Sequence, residues 1–310
     1  MRVTVAIPTF NRSALLRQTL EGIARQNYPR DRFETLVIDN NSSDDTARVV
    51  ADLAALNPGL RYLKETKQGL DHARNRAIAE AQGDIILFGD DDILTEPDWI
   101  GQMIAPFLSH PGAKIGAVGG EVIPIFPDGL PKWVAAWHSP LAFRPDAGPL
   151  TDRQFPMGAN LAFPRWVFKE LGPFHTALDR TAGSYFSGGD SEMIRRIRAA
   201  HMEVWFVPSA AVRHQMPASR TTFRYAARHA FDSARSRVID RAAQPDSTRY
   251  LLSRLAINLA KIPLLSLLAL ACALIGRIGG AKKALVRAWR SCGYVCQSAL
   301  SLDHDNGSQP

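Results

Sequence analysis

The chain of 310 residues has three cysteines, Cys272, Cys292 and Cys296, all in its last forty positions. An odd, late and clustered set makes no disulfide framework. With no CxxC pair and no histidine partner it makes no zinc site either, so a reducing compartment suits the chain. Two nucleotide signatures are also missing. There is no G-x-G-x-x-G and no G-x-x-x-x-G-K-[ST], so dinucleotide-binding and P-loop readings lose their main support. The start lacks the features of a signal peptide. Val3-Thr4-Val5-Ala6-Ile7 is too short for an apolar h-region, has no small-residue cleavage site and runs into Pro8; a buried strand in a cytoplasmic protein is expected. Acidic residues, finally, are scarce in one stretch. Residues 213–300 hold 15 Lys+Arg against Asp232, Asp240 and Asp246, a balance of +12, whereas residues 1–212 hold 22 Lys+Arg against 25 Asp+Glu. That asymmetry predicts a polyanionic partner for the C-terminal part, nucleic acid or an anionic membrane surface.

What is present alternates strand and helix signals. Apolar runs at Val3–Ile7, Phe33–Ile38, Leu60–Leu63 and Asp84–Phe88 are separated by helical spacing at Leu16/Leu20/Ile23, Thr46–Leu56 and Asp71–Ala81, with Asp71 placed as N-cap. A further helix is expected near Asp98–Leu108, and later strands at 115–123 and 203–207. This order predicts an α/β fold with an open, largely parallel sheet and helices on both faces. Six prolines between Pro124 and Pro149 break any helix there and mark a long loop, in which Trp133 and Trp137 either stack on a sugar or anchor the loop itself. In the tail, Lys261 and Arg277 bracket fifteen uncharged residues, roughly 22 Å of helix against a hydrocarbon core of about 30 Å. After it, Leu285, Trp289, Cys292, Cys296 and Leu300 share one helical stripe, with Lys283, Arg287 and Arg290 around the other side. Such a helix either lies in a membrane interface or belongs to the core hairpin of a helical subdomain.

Ligands of open α/β sheets bind beyond the carboxyl ends of the strands. Three strands here run directly into polar clusters: Pro8-Thr9-Phe10-Asn11-Arg12, Asp39-Asn40-Asn41-Ser42-Ser43-Asp44 and Asp90-Asp91-Asp92. Three adjacent carboxylates repel one another, which either a solvated turn or a bound cation resolves. The placement after an apolar strand, beside two other polar strand ends, selects the cation. Mg²⁺ or Mn²⁺ held by carboxylates would also bind a diphosphate without a glycine-rich loop. Asp44 and Asn75 are helix caps or ligands. Arg220, Arg224 and Arg228 form either a phosphate-binding row or a solvated basic face.

The segments VAIPTFNR, VIDNNSSDDT, GLDHARNRAIAEAQGDIILFGDDDIL, GANLAF, SGGDSEMIRRIRAA and VPSAAVRH, in this order and spacing, resemble family 2 glycosyltransferases with the GT-A fold over roughly residues 1–230. The resemblance implies an inverting, metal-dependent transferase of the hexosyltransferase type. It places Pro8, Thr9, Asn11, Asp39, Arg74 and Asp90 at the nucleotide, and Asp91, Gly158, Ala159 and Asn160 at the donor sugar. Asp92, Asp90 and His214 would hold Mn²⁺ or Mg²⁺, and Asp190 would be the catalytic base. The family usually has Glu-Asp where this chain has Gly189-Asp190, so the acceptor side departs from the pattern. Asp190 also fits a capping box with Ser187.

The expected organisation is a GT-A domain at 1–230, a basic helical membrane-associating region at 231–300 and a disordered tail at 301–310. The expected function is transfer from a nucleotide-diphosphate sugar to a lipid-linked or polysaccharide acceptor by a peripheral or monotopic protein at the inner face of the plasma membrane. The alternatives are a polyprenyl-phosphate sugar transferase and an inactive nucleotide-sugar-binding protein. Leu264–Ile275 is too apolar for nucleic acid to be the partner.

Overall fold

The computed structural model describes residues 1–135, 146–176, 185–186, 188–242 and 247–307. Trp137, Ser187 and the last three positions of the tail therefore lie outside the described residues. Contacts divide the chain into two units. The first is Met1–Ile125, Pro140–Thr176 and Gly189–Gln215, and the second is Phe126–Ser139, Ala177–Gly188 and Met216–Pro310.

The first unit is a sheet with helices on both faces. Strands β1 (Val3–Thr9), β2 (Phe33–Asp39), β3 (Leu60–Lys64) and β4 (Ile85–Gly89) are joined through helices α1 (Ser13–Ala24), α2 (Thr46–Ala54) and α3 (Leu70–Glu80). Next come β5 (Ile93–Thr95), α4 (Trp99–Ser109), β6 (Ile115–Ile125) and, beyond α5 (Lys132–Ala135) of the second unit, β7 (Gly148–Pro149) and β8 (Asn160–Pro164). Helices α6 (Arg165–Leu171) and α7 (Gly189–Ala199) and strand β9 (Glu203–Gln215) complete the unit. The strand order is β3-β2-β1-β4-β8-β6-β9-β5, with β7 on β9. The four early strands are parallel to one another, as alternating strands and helices require. Strand β8 runs antiparallel between β4 and β6, and β5 antiparallel to β9, so the sheet is mostly rather than wholly parallel.

Alternation along β1 explains why both faces are covered. Val3, Val5 and Ile7 point to one side with Leu16, Leu20 and Ile23 of α1 and Ile100 and Met103 of α4. Ala6 joins the opposite layer with Ala73 and Ala77 of α3, Val167 and Phe168 of α6, and Met193 and Ile197 of α7. In that layer Phe88, Phe163, Phe168 and Phe174 pack ring against ring at 5.4–6.5 Å between centroids. Each such side chain contributes about 1.5–3 kcal/mol on burial, enough in sum to tolerate crowded charge at the strand ends.

Asp71 does not cap α3 as its sequence position suggested. Gly69 holds the cap position, and Asp71 is a buried residue of the first turn. Asp44 holds neither N-cap position, which are Arg12 for α1 and Asp45 for α2, but its carboxylate accepts from the Ser13 N–H at the start of α1 and from the N–H and hydroxyl of Thr46 at the start of α2.

The second unit is helical, with α8 (Phe223–Ala242), α9 (Ser247–Leu274) and α10 (Ile278–Gly307). The boundary expected at 230 falls inside α8, because Ala227 and Ala230 of that helix pack on Val286 of α10. Helix α10 also runs past 301 to Gly307, where a disordered tail was expected. The uncharged run 262–276 is only part of the story, since α9 has 28 residues, about 42 Å at about 1.5 Å each. It is one helix long and apolar enough to cross a membrane. Inside the unit, α10 turns Ala281, Ala284, Ala288, Ser291 and Ser298 inward and leaves Leu285, Trp289 and Leu300 exposed. Trp133 packs against Phe223, with the Lys282 ammonium over its ring, and so anchors within this unit.

Candidate active site

The polar clusters converge beyond the carboxyl ends of the strands because neighbouring parallel strands end level. Thr9 pairs in register with Asp39 at the ends of β1 and β2. Asn11 and Asn41 take positive φ there, a conformation that asparagine tolerates better than most residues. Asn11 joins the two loops, donating its N–H to Ser42 Oγ and accepting from the Ser43 N–H at 2.8 Å. Asp39 is buried and accepts from the Ser42 N–H at 2.8 Å and from the Tyr62 hydroxyl at 2.6 Å. Burial, and then that bond to Asp39, push the Tyr62 phenol up from its ordinary pKa. Asn40 fixes the entry to α3 by accepting from the Gly69 N–H and donating to the Lys67 carbonyl.

The acidic run sits between β4 and β5, and its three members have different partners. Asp91 accepts from Thr9 Oγ1 at 2.8 Å and from Arg12 Nη1 at 2.9 Å. Thr9 and Asp91, expected at nucleotide and sugar, thus hold each other across the site. Arg12 Nη1 also donates to Asp92 Oδ2 at 2.8 Å. Burial opposes the Arg12 charge, but Asp91, Asp92 and Asp90 outweigh it and keep the guanidinium above its ordinary pKa.

His214 arrives from far along the sequence because β5 pairs antiparallel with β9, setting His214 opposite Ile93. Its Nε2 lies 3.1 Å from Asp92 Oδ1 and 3.4 Å from Asp90 Oδ2. One ligand atom from each of Asp90, Asp92 and His214 falls within 4.8 Å of the other two. Two carboxylates and an imidazole make a donor set that a divalent cation would take, so these residues fit a bound metal ion.

Asp190, in the first turn of α7, meets a second cluster. Arg74 Nη1 donates to Asp71 Oδ1 at 3.0 Å and forms an ion pair with Asp190 Oδ1 at 2.9 Å, and the guanidinium lies 5.3 Å from the Phe174 ring centroid. Arg74, expected at the nucleotide, is therefore shared between Asp71 and Asp190. Asn75 holds Phe174 by exchanging two hydrogen bonds with its backbone, which settles its role as a structural bolt. Burial raises the Asp190 pKa; Arg74 opposes this, Asp71 and Asp90 reinforce it, and the Gly158 N–H opposes it. The Asp190 side chain stays 28% exposed, open to an incoming group.

Asn160 departs from its expected place at the donor sugar. It is the fully buried first residue of β8, accepting from Trp99 Nε1 at 2.9 Å and donating to the Ala210 and Glu121 carbonyls. Its amide is consumed in tying β8 to its surroundings. Gly158 and Ala159 precede it, and Gly158 lies against Asp190. Pro8 is buried within β1. Arg12, Asp71 and Tyr62 were missed as site residues. Asp71 stood in a quoted motif but was spent on capping.

Residues 4–172 match the family model for glycosyl transferase family 2. The chain is 26% identical over 205 residues to glycosyltransferase AglE of Haloferax volcanii, covering 66% of this chain and 64% of AglE. It is 25% identical over 229 residues to the glucosyl-dolichyl phosphate glucuronosyltransferase of the same organism, 72% of each chain. Among solved structures, a mannosyltransferase from Pyrobaculum calidifontis, in complex with GDP-Man and Mn²⁺, superposes with a TM-score of 0.58 at 20% identity, covering all of this chain and 76% of that one. That likeness gives the fold, which is GT-A. The chain belongs to glycosyl transferase family 2, and is a glycosyltransferase.

Proposed function

We propose that the protein is an inverting glycosyltransferase that moves a sugar from a nucleotide-diphosphate sugar to a lipid-linked or polysaccharide acceptor at the cytoplasmic face of the membrane. The observation that carries this reading is the convergence of Asp90, Asp92 and His214 on one side and a single open carboxylate, Asp190, on the other. Asp90, Asp92 and His214 would hold Mn²⁺ or Mg²⁺, which when bound supplies positive charge to the diphosphate leaving group. Asp190 Oδ accepts the acceptor hydroxyl's proton as that oxygen bonds to the anomeric carbon and the bond to the diphosphate breaks. One base and a displaced diphosphate imply inversion at that carbon. Asp39 and Asn11 line the nucleotide side, with Thr9 and Asp91 shaping it from beneath.

Two observations support a membrane acceptor. A relative is named for action on a dolichyl-phosphate-linked sugar. The second unit exposes Leu264, Leu267, Leu268, Leu270, Leu274 and Ile275 in one part of its helices. Lys261 and Arg277 flank that surface, and α10 buries small residues while exposing large ones, the arrangement suited to lipid contact.

The decisive assay incubates the full chain and Mn²⁺ or Mg²⁺ with a panel of UDP-, GDP- and dTDP-sugars and lipid-linked acceptors, reading released diphosphate and product anomeric configuration. Diphosphate release with an inverted product is expected, and a retained configuration overturns the single-base reading. Flotation of the full chain with anionic vesicles is expected, and equal absence of flotation with and without them would overturn the membrane part.

A further inference from the structure

Position 189 is glycine, and the reason lies across the site. A Cβ built there would overlap the Asp71 carboxylate, so the space beside Asp190 that a side chain of α7 would enter is filled from α3 instead. Asp71 is almost wholly buried, as is Arg74. One nitrogen, Arg74 Nη1, serves Asp71 and Asp190 together, at 3.0 and 2.9 Å. The groups facing Asp190 are Arg74 and Asp71 from α3, Asp90 from the end of β4 and the Gly158 N–H ahead of β8. Gly158 is likewise a close approach, since a Cβ there would overlap the Asp190 carboxylate.

A buried carboxylate that owned a guanidinium outright would be anchored but weakly basic, because the proton it must take competes with a full positive charge. Sharing that guanidinium with a second buried carboxylate keeps the anchor and reduces the competition. We propose that Asp71 is a positioning residue of the transfer reaction: it divides Arg74 with Asp190, and Gly189 is the residue that makes room for it. The proposal rests on the reading of Asp190 as the base. It accounts for two features at once, a carboxylate buried in the first turn of α3 and a glycine immediately before Asp190. The carboxylate that Gly189 cannot supply enters the cluster from another helix.

The test uses the full chain, Mn²⁺ and the donor that the sugar panel identifies. Asp71→Asn is expected to lower kcat about 10–100-fold while donor KM stays within about twofold, a loss within the range of general base catalysis. Gly189→Ala, which favours helix but displaces the Asp71 carboxylate, is expected to lower kcat in the same way and covers the case in which Asp71→Asn does not fold. Returning a carboxylate from α7, by adding Gly189→Asp to Asp71→Ser, is expected to recover at least about tenfold of the kcat lost in Asp71→Ser. Wild-type kcat in a folded Asp71→Asn overturns the proposal, as does a joint fall of kcat and melting temperature with no recovery in the double variant. Asp190→Asn, run beside them, separates the two readings. If it is inactive while Asp71→Asn is unimpaired, the sharing alone fails; if it retains turnover, the base assignment fails and the sharing with it.

Discussion

Strand β2 carries a buried carboxylate near each end, Glu34 and Asp39, and the two are treated differently. Glu34 accepts from Thr4 Oγ1 at 2.6 Å, from the Gln82 N–H at 2.8 Å and from Arg61 Nη1 at 2.7 Å. Burial works against its charge, yet these donors prevail and hold the pKa below the ordinary glutamate value. At the other end Asp39 is one of six carboxylates with Asp71, Asp90, Asp91, Asp92 and Asp190; Arg12 pairs with Asp91 and Asp92, and Arg74 with Asp71 and Asp190. The amino end compensates its acid within the fold. The carboxyl end crowds its acids together, an arrangement that a bound cation would relieve. That difference is what marks one end of the sheet as a site and the other as structure.

The largest break in the comparison should come from Asp92→Asn. Removing a carboxylate that faces both His214 and Arg12 is expected to lower turnover about 10³-fold, in line with the several kcal/mol that a bound cation supplies. Unfolding temperature should hold or rise, because like charges are thinned. Mn²⁺ titration by calorimetry together with thermal melts checks both. Asp190→Asn is expected to cost turnover about 10³-fold as well while leaving nucleoside diphosphate affinity near wild type. Because the raised Asp190 pKa must be exceeded for the base to be ionised, kcat in the wild type should fall on acidification at a pH above about 3.9, the ordinary aspartate value. His214→Gln should weaken Mn²⁺ binding on the order of 10–100-fold with a smaller loss at saturating metal.

Much of the first unit was legible because its signals are local. Apolar runs of strand length and helical spacing between them located β1 to β4 and α1 to α4 within a few residues. The polar strand ends were legible for the same reason, each following directly on its strand. What escaped were relations set by pairing across the sheet. Strand β8 was hidden in the segment GANLAF, where Asn160 looked like a ligand because nothing in the sequence shows that Trp99, Glu121 and Ala210 would consume its amide. Asp71 was read as a cap for want of knowing that Gly69 ends the preceding loop, held there by Asn40. The amphipathic stripe of α10 was visible, but not that the helix would bury its alanines and serines and turn the stripe outward.

The smallest effect should appear at the compensated end, and its pH dependence distinguishes the two ends. Glu34→Gln keeps an oxygen for Thr4 and Gln82 but gives up the charge that Arg61 answers. About 2 kcal/mol of stability is expected to be lost, roughly 4–8 °C in melting temperature, with turnover at 25 °C unchanged. The folded pKa of Glu34 lies below its unfolded value. Its stabilisation is therefore complete well above about 4.3, the unfolded glutamate value, and drains as pH falls through the lower folded pKa. Wild type and Glu34→Gln should accordingly differ most near neutral pH and converge in acid, as differential scanning fluorimetry across pH 3–8 would show. A gap that widens on acidification would mean that Glu34 is buried at a cost rather than compensated, and the contrast between the two ends of β2 would go with it.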